Sequence, residues 1–221
     1  MSVFWRVICG LGISAVIVAA FAFVPPAQGF RDPEGARIIF FHVPMAWLAV
    51  LGFLTAMVNA VRYLRTRRLE YDVRSVAGAE MGFLFCLLAT VSGAIFAKIQ
   101  WGTAWNWDPR ETSIFVLLLI YGAYFALRSS VADDERRAAL SAAYASLAVF
   151  PMLFLVFVLP RMEPGLHPSD TVRSGHMSPE YRAVFFAALF CFTLLFAWVY
   201  QLRTAVGRMG GRAAVAWREG L

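Results

Sequence analysis

Apolar residues run through this chain in six long blocks separated by short polar stretches, at about 4–24, 37–61, 75–97, 112–128, 138–159 and 182–202. A membrane-spanning helix needs roughly 20 mainly apolar residues, and each block meets or approaches that length. A backbone surrounded by lipid must satisfy its own hydrogen bonds, so blocks of this kind are expected to be helices. The pattern predicts an all-α integral membrane protein with six transmembrane helices. No loop between blocks is long enough to form a soluble domain, so residues 1–221 are read as one polytopic membrane domain.

Composition agrees. Of 221 residues, 60% are hydrophobic and only 15% charged, with mean hydropathy +0.65. A water-soluble domain of this size could not hide so much apolar surface. The first block carries Arg6 ahead of its apolar run, as a signal peptide would. That run is of span length and ends in Val24-Pro25-Pro26 without a small-residue cleavage site, so a retained helix is expected.

Charge sets the expected orientation. Thirteen of the twenty Lys and Arg residues fall at one end of the spans: Arg6, the cluster Arg62 to Arg74, Arg128, Arg136, Arg137 and the tail from Arg203. Cytoplasmic loops are the cation-rich ones, which predicts cytoplasmic termini. The net charge of +6 is then a topology signal, spread over short segments, and not a nucleic-acid surface. Cys9, Cys86 and Cys191 lie inside spans and lack C-x-x-C spacing, so a packing role is expected.

On this topology the outer face receives loops 25–36, 98–111 and 160–181. The first, with Arg31, Asp32 and Glu34, reads as a structured cap. The second, Lys98-Ile-Gln-Trp101-Gly102-Thr-Ala-Trp105-Asn-Trp107-Asp108-Pro109-Arg110-Glu111, holds three of the seven tryptophans within seven residues. Interfacial tryptophans are common, and an aromatic belt is the plain reading. The density, beside Asp108 and Arg110, instead suits a shelf for a flat apolar ligand with charged edges. If the segment is helical, Trp101 and Trp105 lie one above the other, while Trp107 points elsewhere.

His42 sits about five residues into the second span, two before Pro44. An ionisable group inside a span is a functional candidate, although a lone helix histidine is as often simply packed. His167 and His176 share the third outer loop, and either could be an ordinary surface residue. All three histidines face the outer leaflet, which points to one extracytoplasmic metal site, because iron in haem takes imidazole ligands. Glu80, near the inner end of the third span, reads as a structural hydrogen-bonding group away from any ligand. No nucleotide cradle, H-E-x-x-H or Ser/His/Asp arrangement appears, so no enzyme chemistry is indicated.

The segment Trp101-Gly102-Thr-Ala-Trp105-Asn-Trp107-Asp108 resembles the WWD motif of the haem-handling superfamily. Together with Arg37-Ile-Ile-Phe-Phe-His42-Val-Pro44 and Leu166-His167, it makes the whole chain similar to the cytochrome c maturation protein C family. The resemblance implies haem b as cargo, cradled by Trp101, Gly102, Trp105, Trp107 and Asp108, with His42 and His167 as axial iron ligands. His176 has no counterpart. Arg37, Lys98 or Arg110 are candidates for the propionates. The implied partners are the periplasmic haem chaperone (protein E of the pathway), the ATP-binding cassette proteins A and B, and the small membrane protein D, all at the bacterial inner membrane. Pro109 and Glu111 depart from this pattern and are reminiscent of the related system II synthetases, which carry extra spans and histidines. Two rival readings are a cytochrome b-like electron carrier and a haem-free transporter or scaffold subunit. The first would need a second histidine deep inside the membrane, and none exists.

Overall fold

The computed structural model describes residues 3–167 and 177–218, with side chains to residue 209 in the last helix. His176 lies outside the described residues. Helix α1 spans Val3–Ala22, α2 Ile39–Thr66, α3 Leu69–Trp101, α4 Pro109–Ser130, α5 Asp134–Leu153, α6 Leu159–Met162 and α7 Pro179–Arg218. A 3-10 turn, Gly35–Ile38, leads into α2, and a π-helical turn, Phe154–Val158, joins α5 to α6. The described residues contain six helical stretches long and apolar enough to cross a membrane, each overlapping one of the six blocks read from the sequence. The multi-pass all-α architecture is therefore as expected.

Helices α2 and α3 form the tightest pair, and small residues explain why. A Cβ at Gly78 would lie 2.7 Å from the backbone nitrogen of Ala56, and a Cβ at Gly82 would run into the Phe53 ring. Within lipid, apolar burial does not drive helices together, so close backbone approach and interhelical hydrogen bonds must do so. Ser75 Oγ supplies one such bond, donating to Ala56 O at 2.9 Å. The turn between them is short: Arg67 takes the left-handed conformation (φ 57°), and its N–H caps Tyr63 O. Phe53 stacks on Tyr121 of α4 at 3.5 Å between centroids, which brings α4 onto the same core. Helix α1 lies at the periphery against α7, where Gly12 leaves room for Cys191. All three cysteines are buried and unpaired, as expected.

The two ends of the bundle differ in chemistry. At one end, Arg128 makes a two-pronged ion pair with Asp72 (2.8 and 2.6 Å) between α4 and α3. Nearby, Arg203 of α7 holds Glu80 at 2.7 Å, so Glu80 is a structural partner and not part of the outer loops. At the other end, Asp32 and Gln100 exchange two hydrogen bonds, of 3.2 and 2.8 Å. These dock the 25–36 loop onto the end of α3 as a cap. The end opposite the Arg128–Asp72 and Arg203–Glu80 pairs carries Trp101, Trp105, Trp107, His42 and His167.

Candidate functional site

The site is assembled at the junction of α3 and α4. Helix α3 runs to Trp101 and stops at Gly102, whose φ of 90° suits a residue without a Cβ. Residues 102–108 are not helical. This corrects the conditional helical reading: Trp101 ends a helix, while Trp105 and Trp107 lie in the loop, so the first two do not stack at i, i+4. Lys98 is also in α3 rather than in the loop. Trp105 and Trp107 meet edge to face at 5.8 Å, and both pack edge-on against Phe115 of α4. Trp101 packs instead against Phe96 and the ring of His167, whose centroid lies 5.1 Å away. The three indoles therefore form two groups, one at each end of the loop.

Two carboxylates fix this loop. Glu111 Oε2 accepts from the backbone N–H of Asn106 (2.6 Å) and of Asp108 (3.3 Å). Asp108 Oδ1 in turn accepts from Arg110 N at 2.9 Å. The pair is a capping box on α4, with Pro109 at the first helical position. Between the two clamped amides, Trp107 is held at φ 56° and left 68% exposed. A left-handed conformation costs an L-residue about 1–2 kcal/mol, so the clamp holds a backbone the chain would otherwise avoid.

Asp108 also reaches across to the loop after α6. Its Oδ2 accepts from Leu166 N at 2.6 Å, and its Oδ1 lies 2.8 Å from His167 Nδ1. The Asp108 side chain is 1% exposed and that of His167 21%. Burial raises the Asp108 carboxyl, but the Arg110 amide, the neighbouring imidazole and the Leu166 amide outweigh it and hold the group below its ordinary value. Burial also lowers the His167 pKa, helped by Arg110 and opposed by Asp108. The pair is therefore carboxylate and neutral imidazole near neutral pH. Since a carboxylate only accepts, Nδ1 of His167 carries the proton and Nε2 keeps its lone pair.

His42 reaches the same state by another route. Its Nδ1 lies 3.0 Å from Ser92 Oγ, while Ser92 directs its hydroxyl to Leu88 O at 2.7 Å and Ala89 O at 3.2 Å. A hydroxyl has one proton. With that proton given to the helix backbone, Ser92 can only accept from His42, so Nδ1–H donates, and in the neutral imidazole Nε2 is the free lone pair. Gly93 makes the fit possible, since a Cβ there would lie 2.9 Å from His42 Cε1. Both histidines thus engage Nδ1, and neither has a side-chain hydrogen bond at Nε2 among the described residues.

A cavity of about 780 Å³ opens beside His167, lined by Asp108, Arg110, Pro160, Arg161 and Glu163 among others. Its size lies within the range of small-molecule sites, about 300–1,000 Å³. His42 does not line it. Of the three cations proposed for propionates, only Arg110 does. Arg37 is turned away, its guanidinium donating to Phe21 O (2.8 Å) and Val24 O (2.9 Å) and pairing with Glu34. It closes the end of α1, where carbonyls lack helical partners. Lys98 caps its own helix through Gly102 O at 3.0 Å.

Sequence reasoning missed Ser92 and Arg161, and named Glu111 without reading its capping role. Glu111 was legible, since Asp-Pro-x-Glu at a helix start is a capping-box signature. Ser92 and Arg161 carry no local signal, because each matters only through a neighbour brought in by the fold.

The family model described as heme exporter protein C matches residues 2–219. Relatives carrying that name include one from Paracoccus denitrificans, 28% identical over 201 residues, covering 90% of this chain and 83% of the relative. The one from Bradyrhizobium diazoefficiens is 30% identical over 196 residues, covering 86% and 74%. The one from Escherichia coli K12 is 30% identical over 207 residues, covering 89% and 83%. With a match of this extent, the chain belongs to the heme exporter protein C family.

Proposed function

We propose that this protein binds haem b at the extracytoplasmic end of its bundle, through His42 and His167, and passes it to a periplasmic haem chaperone for maturation of c-type cytochromes. The observation that carries the reading is the matched state of the two histidines. Each has its Nδ1–H engaged by a second residue, Ser92 or Asp108, and each offers Nε2 as a free lone pair. Metal-binding imidazoles are oriented in this way by outer partners. The family's name supports haem as the cargo.

In this reading the WWD segment (Trp101, Gly102, Trp105, Trp107 and Asp108) is the shelf. Trp101 flanks His167, and the exposed indole of Trp107 meets the edge of the macrocycle. Burying apolar ring surface contributes on the order of 25 cal/mol per Å². Arg110 and Arg161 line the cavity beside His167, and this reading assigns them to the propionates, where charge-assisted bonds are strongest, with one arm of Arg161 already given to Phe157 O. The cation-rich end, with both termini, faces the cytoplasm of a bacterial inner-membrane protein. The ATP-binding cassette proteins A and B and the small protein D are the partners of the export system.

The test is haem content. Protein purified from haem-replete cells should show a Soret band that the His42→Ala/His167→Ala double variant has lost. An unchanged band in the double variant would refute the ligand assignment.

A further inference from the structure

The partners that fix the two imidazoles are chemically unequal. His167 donates to a carboxylate that is 1% exposed, and His42 to a serine oxygen whose own proton is already given to the helix backbone. A hydrogen bond to an ionised acceptor is roughly twice as strong as a neutral one. It also draws Nδ1–H toward the acceptor and leaves Nε2 richer in electrons, hence a stronger donor to a metal. The supports differ as well. Asp108 grips the His167 loop at two consecutive residues, through Leu166 N and His167 Nδ1, and a Cβ at Gly165 would lie 3.2 Å from Asp108 Cγ. Around His42 the helix is weakened, because Pro44 has no N–H to give to Phe40 O.

We infer that His167 is the anchoring iron ligand and His42 the exchangeable one, the position at which haem is released. The inference rests on the reading that both histidines bind iron. The release step is a ligand exchange. The bond between iron and His42 Nε2 breaks with its electron pair returning to the imidazole. Water or a donor atom of the accepting protein then takes the vacated position. The oxidation state of iron is unchanged. His167 keeps the haem on the shelf while the exchanged face is open, so Asp108 acts as a positioning residue through His167.

The experiment compares full-length protein, purified in detergent and loaded with haemin, as wild type, His42→Ala, His167→Ala and Asp108→Asn. Haem loss is followed as transfer to excess apomyoglobin, alongside coordination spectra and midpoint potentials. His42→Ala should retain haem in a five-coordinate form, and His167→Ala should lose it at least about tenfold faster than His42→Ala. Disturbing an outer-shell partner typically costs about 10–100-fold in metal affinity, so Asp108→Asn should speed haem loss by a factor in that range. It should also raise the midpoint potential. Free imidazole that restores a low-spin spectrum identifies a folded alanine variant. If His167→Ala fails to fold, the shape-preserving Asp108→Asn still decides the question. Equal or reversed loss rates for the two alanine variants, or an Asp108→Asn protein with unchanged rate and potential, would overturn the inference. A wild type that shows no two-imidazole spectrum would instead overturn the site reading beneath it.

Discussion

Gly165→Ala is the most economical perturbation of the site, because it adds one methyl group and removes no functional atom. A Cβ at 165 would overlap Asp108 Oδ2 and stand 3.3 Å from Pro109 Cδ. The carboxylate cannot yield, since it is buried and simultaneously holds Arg110 N, Leu166 N and His167 Nδ1. The 165–167 loop must therefore lift away, and at least one of its two bonds to Asp108 is lost. A hydrogen bond to a charged group is worth about 1.5–3 kcal/mol. At about 1.4 kcal/mol per factor of ten, haem affinity should fall roughly 10- to 150-fold. The assay is a haemin titration of the purified protein followed at the Soret band, with circular dichroism to show that helix content is intact. His167 should lose its fixed tautomer, and the low-spin spectrum should weaken in parallel. An unchanged affinity in a folded Gly165→Ala protein would refute the claim that Asp108 holds the His167 loop in its binding geometry.

Other consequences can be tested separately. Glu111→Ala strands the amides of Asn106 and Asp108, at about 1–3 kcal/mol for a buried unsatisfied group; tryptophan fluorescence should shift, and Glu111→Gln, which keeps an acceptor, should restore it. Asp72→Ala leaves the guanidinium of Arg128 unpaired at a site where both side chains are mostly buried, so denaturation should show a loss of about 3–5 kcal/mol. The Asp72→Ala/Arg128→Met double variant should lose less than that, and an additive loss would speak against a coupled pair. Because burial keeps His167 neutral below its ordinary range, ligation should survive as pH falls through about 6.5, where a free histidine protonates. Haem binding that declines with a midpoint at or above that value would contradict the assignment.

Much of the fold was legible in the sequence because a bilayer imposes one rule on every span. Six apolar blocks became six membrane-length helices, and only their ends shifted. The largest shift is in α7, which runs to Arg218, well past the block end at 202. At the site, α3 continues to Trp101, beyond the polar Lys98 and Gln100 that suggested a loop. Gln100 is accommodated by bonding the backbone of Asp32, a tertiary contact with no local signature. The site was half legible. The tryptophan density and the shared end of His42 and His167 were visible in composition and topology. Their protonation states were not, because these follow from Ser92, fifty residues from His42, and from Asp108, fifty-nine residues from His167. Arg37 shows the reverse error. A cation beside the presumed site looked available for an anionic ligand, but the carbonyls ending α1 had already taken its donors.

The central claim is that two imidazoles from separate elements of this chain bind one iron. Electron paramagnetic resonance combined with near-infrared magnetic circular dichroism of the haem-loaded ferric protein tests this directly, because together they distinguish two nitrogenous axial ligands from one. The wild type should give a low-spin two-imidazole signature, and the single variants His42→Ala and His167→Ala should each lose it. A two-imidazole signature that persists in either variant, or a wild type with one histidine and a non-nitrogen ligand, would contradict the account.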